Sequence, residues 1–153
     1  CTAAITQAYW PARMQRLRTG PLVENLASNE VWLDGGHNPA AGRAIAGTLA
    51  SLAKRETHII CGMINTKDVK GFLAPIATHC TSLTAVTIPN EPNAVPAPDL
   101  ANFGRSCGLI CFEGADIDQV LRDLSKRHPE ARILICGSLY LAGHVLREND
   151  ETA

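Results

Sequence analysis

The chain predicts an α/β fold, a largely parallel sheet with helices on both faces, and three observations predict it. Short apolar runs rich in Val, Ile and Leu alternate with helix-length segments from Glu30 onward. Gly, Asn, Asp and Ser punctuate the passage from each run to the next helix. The 153 residues, 46% hydrophobic and 19% charged, suit one compact domain that buries its own core.

The elements follow in order. After Pro11, "RMQRL" and "PLVENL" flank Thr19-Gly20, a turn signal, and are expected to form an antiparallel hairpin at a sheet edge. "EVWLDG" predicts a strand and the run from Pro39 to about Lys54 a helix; "THIICGM" predicts a strand and the run from Lys67 to about His79 a helix. "SLTAVTI" is the next strand, and the four prolines of "PNEPNAVPAP" make a loop before a helix starting near Pro98 or Asp99. "GLICFE", "DIDQVLRDLSKR", "RILICG" and "LYLAGHVLRE" complete two further strand and helix pairs. Alternation of this length implies right-handed crossovers and a Rossmann-like three-layer domain with an antiparallel edge hairpin. A boundary is expected near Tyr9-Trp10-Pro11, so that residues 1–9 are the remnant of a preceding segment and 10–153 the domain; the tail "ENDETA" is expected to fray. The first residue is not Met, which reads as an excised piece of something longer.

Composition narrows the function classes. Fourteen Lys plus Arg against fifteen Asp plus Glu leave a net charge of -1, with no basic run to neutralise a row of phosphates, so nucleic acid is not expected as a partner. The longest apolar stretches fall well short of the roughly 18 residues of a membrane span, and no secretory leader opens the chain. Six cysteines without a C-x-x-C pair, three inside apolar strand runs, read as small hydrophobes of a reducing cytoplasm rather than disulfides or a metal site. His58 and His128 read as surface residues beside charges, and His79 and His144 as helical; none is given a role.

In open parallel sheets, ligands bind outside the carboxyl ends of the strands, where helices begin and their free amides point outward. Three such junctions carry suitable side chains. In "WLDGGHNPAAG", Asn38 is an N-cap before a proline at the first helical position, and Asp34, Gly35, Gly36 and His37 fill the crossing loop. Glycines there let a ligand approach the backbone, and Asp34 can accept from a pair of sugar hydroxyls. The plainer account is equally open: Asn38 only caps, Asp34 accepts from loop amides, and His37 is exposed. In "GMINTKDV", Asn65 or Thr66 can cap, while Lys67 in the first turn opposes the helix dipole and is explained by an anionic ligand or by simple exposure. In "LICGSLYLAG", Ser138 can cap the helix or offer its hydroxyl to a carboxylate; Tyr140 and Leu141 read as core. "WPARMQR" adds Trp10, Arg13 and Arg16, whose forks match phosphate oxygens or surface carboxylates. There is no G-x-x-x-x-G-K-[ST] loop and no G-x-S-x-G elbow, so the chain is not a self-sufficient P-loop ATPase.

Taken together, "WPARMQ", "WLDGGHNPAAG", "GMINTKD" and "ICGSLYLAG" resemble the carboxyl-terminal domain of folylpolyglutamate synthase, including its bifunctional dihydrofolate synthase form, a branch of the ATP-dependent Mur ligase group. The match runs from about Trp10 to Glu148, and departs where the family more often has glycine at Ala12 and alanine at Gly36. The resemblance implies that ATP phosphorylates a folate or dihydropteroate carboxylate and that the amino group of L-glutamate attacks the acyl phosphate. It implies Arg13 at the nucleotide phosphates, Asp34 at the ribose, and His37 with Asn38 where nucleotide and reacting groups meet, so that His37 and Asp34 count as catalytic. By looser analogy, Lys67 and Ser138 hold the glutamate carboxylate. The phosphate loop and the Mg2+ ligands are expected in the chain's own N-terminal P-loop ATPase domain, and this chain alone is expected to be inactive. The alternatives are a Mur-type cell-wall or cyanophycin ligase domain, or a non-catalytic α/β nucleotide-binding or interaction module.

Overall fold

The computed structural model describes residues 13–150, so the expected boundary near Trp10 and the last residues of the tail lie outside the described residues. Six strands form one sheet: β1 (Gln15–Leu17), β2 (Glu30–Asp34), β3 (Thr57–Cys61), β4 (Ser82–Ala85), β5 (Ile110–Glu113) and β6 (Arg132–Cys136). Five helices alternate with them: α1 (Pro39–Ser51), α2 (Val69–Ala77), α3 (Ala97–Ser106), α4 (Ile117–Arg127) and α5 (Leu139–Glu148). The spatial order is β1-β2-β6-β3-β4-β5, parallel throughout except for β1 against β2.

Strand and helix patterns explain the layers. β3 and β6 are buried along their whole length, as central parallel strands with both faces covered must be. Residues on one face (Ile59, Cys61, Leu83, Leu134) pack with Ile45, Leu49, Phe72, Leu73 and Leu100, which puts α1, α2 and α3 there. Residues on the other face (Leu33, Ile60, Ile133, Ile135) pack with Leu121, Leu124, Leu141 and Val145, which puts α4 and α5 opposite. In α4 the buried Ile117, Val120, Leu121 and Leu124 follow the i, i+3, i+4, i+7 spacing of one helical stripe; Asp116 caps its start, accepting from Gln119 N–H at 2.9 Å, and Lys126 and Arg127 favour its negative end. Among the described residues no helix is long and apolar enough to cross a membrane.

Two sequence expectations need correction. "PLVENL" is not a strand: the amides of Val23 and Glu24 both donate to Gly20 O, at 3.1 and 3.0 Å, and curl the segment into a turn. Leu22 is buried beneath it, and Asn149 clamps both sides, accepting from Leu22 N–H at 2.9 Å and donating to Thr19 O at 2.8 Å. The antiparallel edge pair exists, but β1 makes it with β2, Arg16 facing Trp32, and the Arg16 guanidinium lies 5.7 Å from the Trp32 ring centroid.

The histidines differ as well. His58 is 2% exposed inside β3, and His79 falls in the turn after α2 rather than within it. Burial holds the His58 pKa below its usual value and the neighbouring His128 adds to this, against the upward pull of Glu56. Cys61, Cys111 and Cys136 are buried in their strands, as small hydrophobes in apolar runs should be, and burial, with Cys111 and Cys61 nearby, pushes the half-buried Cys80 up to about 12.

Candidate functional site

The last strand in sequence, β6, inserts between β2 and β3, which brings three helix starts to neighbouring strand ends. The helices after β2 and β3 lie on one face and the helix after β6 on the other. Connections leaving adjacent strands toward opposite faces open a crevice above the carboxyl edge, where ligands of such sheets bind.

At the end of β2, Asp34 is 8% exposed, and each of its oxygens has a backbone partner: Oδ2 accepts from Met14 N–H at 3.0 Å and Oδ1 from Gly36 N–H at 2.6 Å. A Cβ on Gly36 would lie 2.8 Å from that Oδ1 and 2.7 Å from the Ala41 Cβ, so glycine lets the carboxylate tuck over the start of α1. Burial raises the Asp34 pKa, opposed by the two amides and then by the neighbouring Arg13. Arg13 itself is exposed beside it, because antiparallel β1 begins where β2 ends. His37 is half-buried, its Nδ1 3.1 Å from Gly35 O; Asn38 caps α1, accepting from Ala41 N–H at 2.8 Å, with Pro39 first in the helix.

At the end of β6, Gly137 adopts φ +114° and Ser138 caps α5, its Oγ accepting from Tyr140 N–H at 3.0 Å. Ser138 is 3% exposed. Tyr140 is 58% exposed and Leu139 is similarly open, which corrects the reading of Tyr140 as core, while Leu141 is fully buried. The buried face of α5 runs through Leu141, Ala142 and Val145, a spacing that leaves Tyr140, His144 and Arg147 on the other side and was present in the sequence.

Past β3, the cap of α2 is Asp68, accepting from Gly71 N–H at 3.0 Å, and neither Asn65 nor Thr66. Lys67 therefore precedes the cap, outside the first turn, and the dipole no longer makes its presence unusual. It lines a cleft of about 820 Å3 between α2 and α3 with Asn65, Asp68, Lys70, Asp99 and Phe103. The proline-rich loop forms one wall, fastened by Val95 N–H to Met63 O at 2.8 Å and Asn65 N–H to Asn93 O at 2.8 Å.

All six candidate residues thus lie at one edge of the sheet. Arg13 and Asp34 are neighbours there, Asn38 and Ser138 cap the helices that follow the adjacent strands β2 and β6, and Lys67 alone of the six lines the large cleft.

Comparison with known proteins shows the family. The family described as Dihydrofolate synthetase, C-terminal domain matches residues 21–148. The chain belongs to that family. A probable bifunctional folylpolyglutamate synthase/dihydropteroate synthase of Haloferax volcanii is 26% identical over 141 residues, spanning 90% of this chain and 15% of that protein. Among solved structures, Mycobacterium tuberculosis folylpolyglutamate synthase complexed with ADP and AMPPCP superposes with a TM-score of 0.80 at 24% identity, over 95% of this chain and 33% of that one. The bifunctional folylpolyglutamate synthase/dihydrofolate synthase of Yersinia pestis, solved ligand-free, gives 0.71 at 23% identity, over 92% and 32%. This dihydrofolate synthetase C-terminal domain therefore spans about a third of the length of the solved relatives it matches.

The geometry makes Asp34→Ala a stability variant. It leaves the amides of Met14 and Gly36 without their acceptor, at an expected cost of about 1–3 kcal/mol in urea unfolding at pH 7. The pH dependence has a definite sign. Because burial raises the folded pKa above 3.8, the folded chain holds the Asp34 proton more tightly, and this residue's contribution to stability falls as pH rises from 3.8 through the folded value, then stays level. Asp34→Asn should remove that slope.

Proposed function

We propose that this chain is the closing lobe of an ATP-dependent ligase that joins L-glutamate to dihydropteroate or folate. In the reaction, the γ-phosphate of ATP passes to the acceptor's carboxylate, ADP leaves, and the glutamate amine displaces phosphate from the acyl phosphate to form the amide. The observation that carries this reading is the gathering of Arg13, Asp34, the α1 start at Asn38 and the α5 start at Ser138 along one carboxyl edge, in a chain of this family.

The residues fit part of a nucleotide site. Exposed Arg13 offers a guanidinium fork to phosphate oxygens, and the helix starts supply amides beyond those their caps occupy. Asp34 already accepts two amides, so a ribose contact uses its remaining lone pairs. His37 and Asn38 stand where nucleotide and reacting groups meet. Lys67 and Ser138 hold the glutamate carboxylate, Ser138 by its hydroxyl hydrogen, since Tyr140 N–H takes an oxygen lone pair. Phosphate-loop contacts and Mg2+ come from an amino-terminal P-loop lobe, and exposed Leu139 and Tyr140 suit docking of that lobe. Relatives support the chemistry: one bifunctional folylpolyglutamate synthase/dihydrofolate synthase structure carries Mn, AMPPNP and L-glutamate, and an E. coli structure carries ADP with DHPP.

In the protein containing both lobes, Arg13→Ala and Lys67→Ala are expected to lower kcat/KM about 10- to 100-fold, the loss of one charge-assisted hydrogen bond each. Arg13→Ala should raise KM for ATP and Lys67→Ala KM for glutamate, with unfolding midpoints unchanged because neither side chain is buried. Turnover by the 153-residue chain alone would overturn its assignment as one lobe of the enzyme, and full activity of both variants would overturn the site assignment.

A further inference from the structure

We propose that Glu56, His58 and His128 form a binding site for a zinc-class divalent transition-metal ion at the amino ends of the strands, away from the carboxyl-edge site. Glu56 Oε2 lies 2.8 Å from His58 Nε2 and 3.1 Å from His128 Nδ1. One donor atom from each of the three residues falls within 4.8 Å of the other two. The two imidazole rings stack with centroids 4.2 Å apart and planes tilted by 33°.

Three features suit the cluster to a metal ion. First, His58 is an imidazole in a central strand whose other residues toward that face are aliphatic, and a buried polar ring demands partners. Second, its far nitrogen is fixed: Nδ1 lies 2.6 Å from Ser82 Oγ, on the strand position paired with His58. With Nδ1–H donating to that hydroxyl, the Nε2 lone pair faces Glu56, the arrangement in which an outer partner orients a ligating histidine. In that tautomer the lone pair and the carboxylate face each other across a gap that a proton or a metal ion can bridge. Third, the donors nearly have the required spacing. Tetrahedral bonds of about 2.0–2.1 Å set ligand atoms about 3.3 Å apart, so the two Glu56 contacts would lengthen by a few tenths of an ångström and the two imidazole nitrogens, within 4.8 Å of each other, would close on the ion. Its side chain is 44% exposed and that of His128 34%, which leaves freedom for the shift and an open fourth position for water.

Two imidazoles with a single carboxylate suit Zn2+, Co2+ or Ni2+ and not Mg2+ or Ca2+, which take oxygen ligands. The ion would join the entry of β3 to the end of α4, since His128 is the cap whose N–H closes that helix on Leu124 O.

The test uses the 153-residue chain stripped of metal with a chelator. Zn2+ is titrated by calorimetry and Co2+ by visible absorption, on the natural chain and on Glu56→Gln and His128→Gln. Both substituted side chains are partly exposed, and circular dichroism checks the folding of each variant. The expected result is one Zn2+ per chain, Co2+ bands of a four-coordinate nitrogen and oxygen site, and affinity lowered at least about tenfold in each variant. Absence of binding, equal affinity in folded variants, or a thiolate-to-cobalt charge-transfer band marking cysteine ligation would overturn the proposal.

Discussion

Arg132→Ala is expected to lose about 1.5–3 kcal/mol of stability in urea unfolding at pH 7, the usual cost of removing a charge-assisted hydrogen bond, here from a half-buried carboxylate that keeps a second arginine. Arg132 is buried at the start of β6, and its guanidinium serves three acceptors: Glu30 Oε1 at 3.2 Å, Thr57 Oγ1 at 3.4 Å and Ala53 O at 2.8 Å. Removing it takes the donor from Ala53 O, leaves Thr57 Oγ1 with its bond to Arg55 O alone, and takes from Glu30 its most buried counter-charge. Arg55 also holds Glu30, at 2.8 Å, and reaches the Ser28 and Glu130 carbonyls, but it is more exposed, so Arg55→Ala is expected to cost only about 1–2 kcal/mol. A pH series checks the electrostatic part. Burial alone would raise the Glu30 pKa, but the bonds from Trp32 and Arg132 outweigh it and hold the value below 4.5. Glu30 therefore contributes stability that is fully present above pH 4.5 and is lost as pH falls through the folded value. The gap between the natural chain and Arg132→Ala should narrow over that range. A pH-independent loss under about 1 kcal/mol would mean that the pair is solvated and the network inert.

This network also marks what one sequence can and cannot disclose. Strands and helices were readable because they are local: "RILIC" is a continuous buried run, and "DIDQVLRDL" carries its cap and apolar stripe within nine residues. Strand order was not, since nothing within "RILIC" says that it inserts between β2 and β3. The fate of "PLVENL" was hidden for the same reason. Its capture depends on Asn149, 127 residues beyond Leu22. His58 looked exposed beside Glu56 and Arg55 because its other partners, Ser82 and His128, arrive from distant elements.

The candidate edge was more legible. Asn38-Pro39 and Gly137-Ser138 are cap signals with a mechanism, and both cap where expected. Asp34 was open to two readings, and its two backbone bonds establish the architectural one at least. The cap of α2 was misplaced because Asn65, Thr66 and Asp68 are all competent caps, and only the path of the chain past Ile64 selects among them: Lys67 N–H bonds back to Ile64 O at 3.3 Å, closing a turn that delays the helix to Val69.

Gly137→Ala is the variant expected to damage stability and site together. At φ +114° a side chain is strained whatever the space, and here there is none: a Cβ would stand 2.6 Å from Gly62 O, 2.8 Å from Cys61 Sγ and 2.9 Å from Met63 Cγ. The oxygen cannot easily yield, because Gly62 N–H bonds to Cys136 O at 3.3 Å and ties the two strand ends together. Backbone strain contributes about 1–3 kcal/mol and displacement of that contact adds to it, so a total loss of about 3 kcal/mol or more is expected in urea unfolding. Gly47→Ala supplies the opposite sign: it lies inside α1 with nothing within 4 Å of its Cβ, and alanine there should stabilise by about 0.5–1 kcal/mol. The functional consequence follows from position. Gly137 sets where Ser138 and the first amides of α5 stand relative to the ends of β2 and β3, so, if the proposed ligase role holds, Gly137→Ala in the protein containing both lobes is expected to raise KM for glutamate even at temperatures where the variant remains folded. If it matches Gly47→Ala in stability and leaves that KM unchanged, the chain relaxes at this junction at little cost, and the crevice above β6 owes nothing to the glycine.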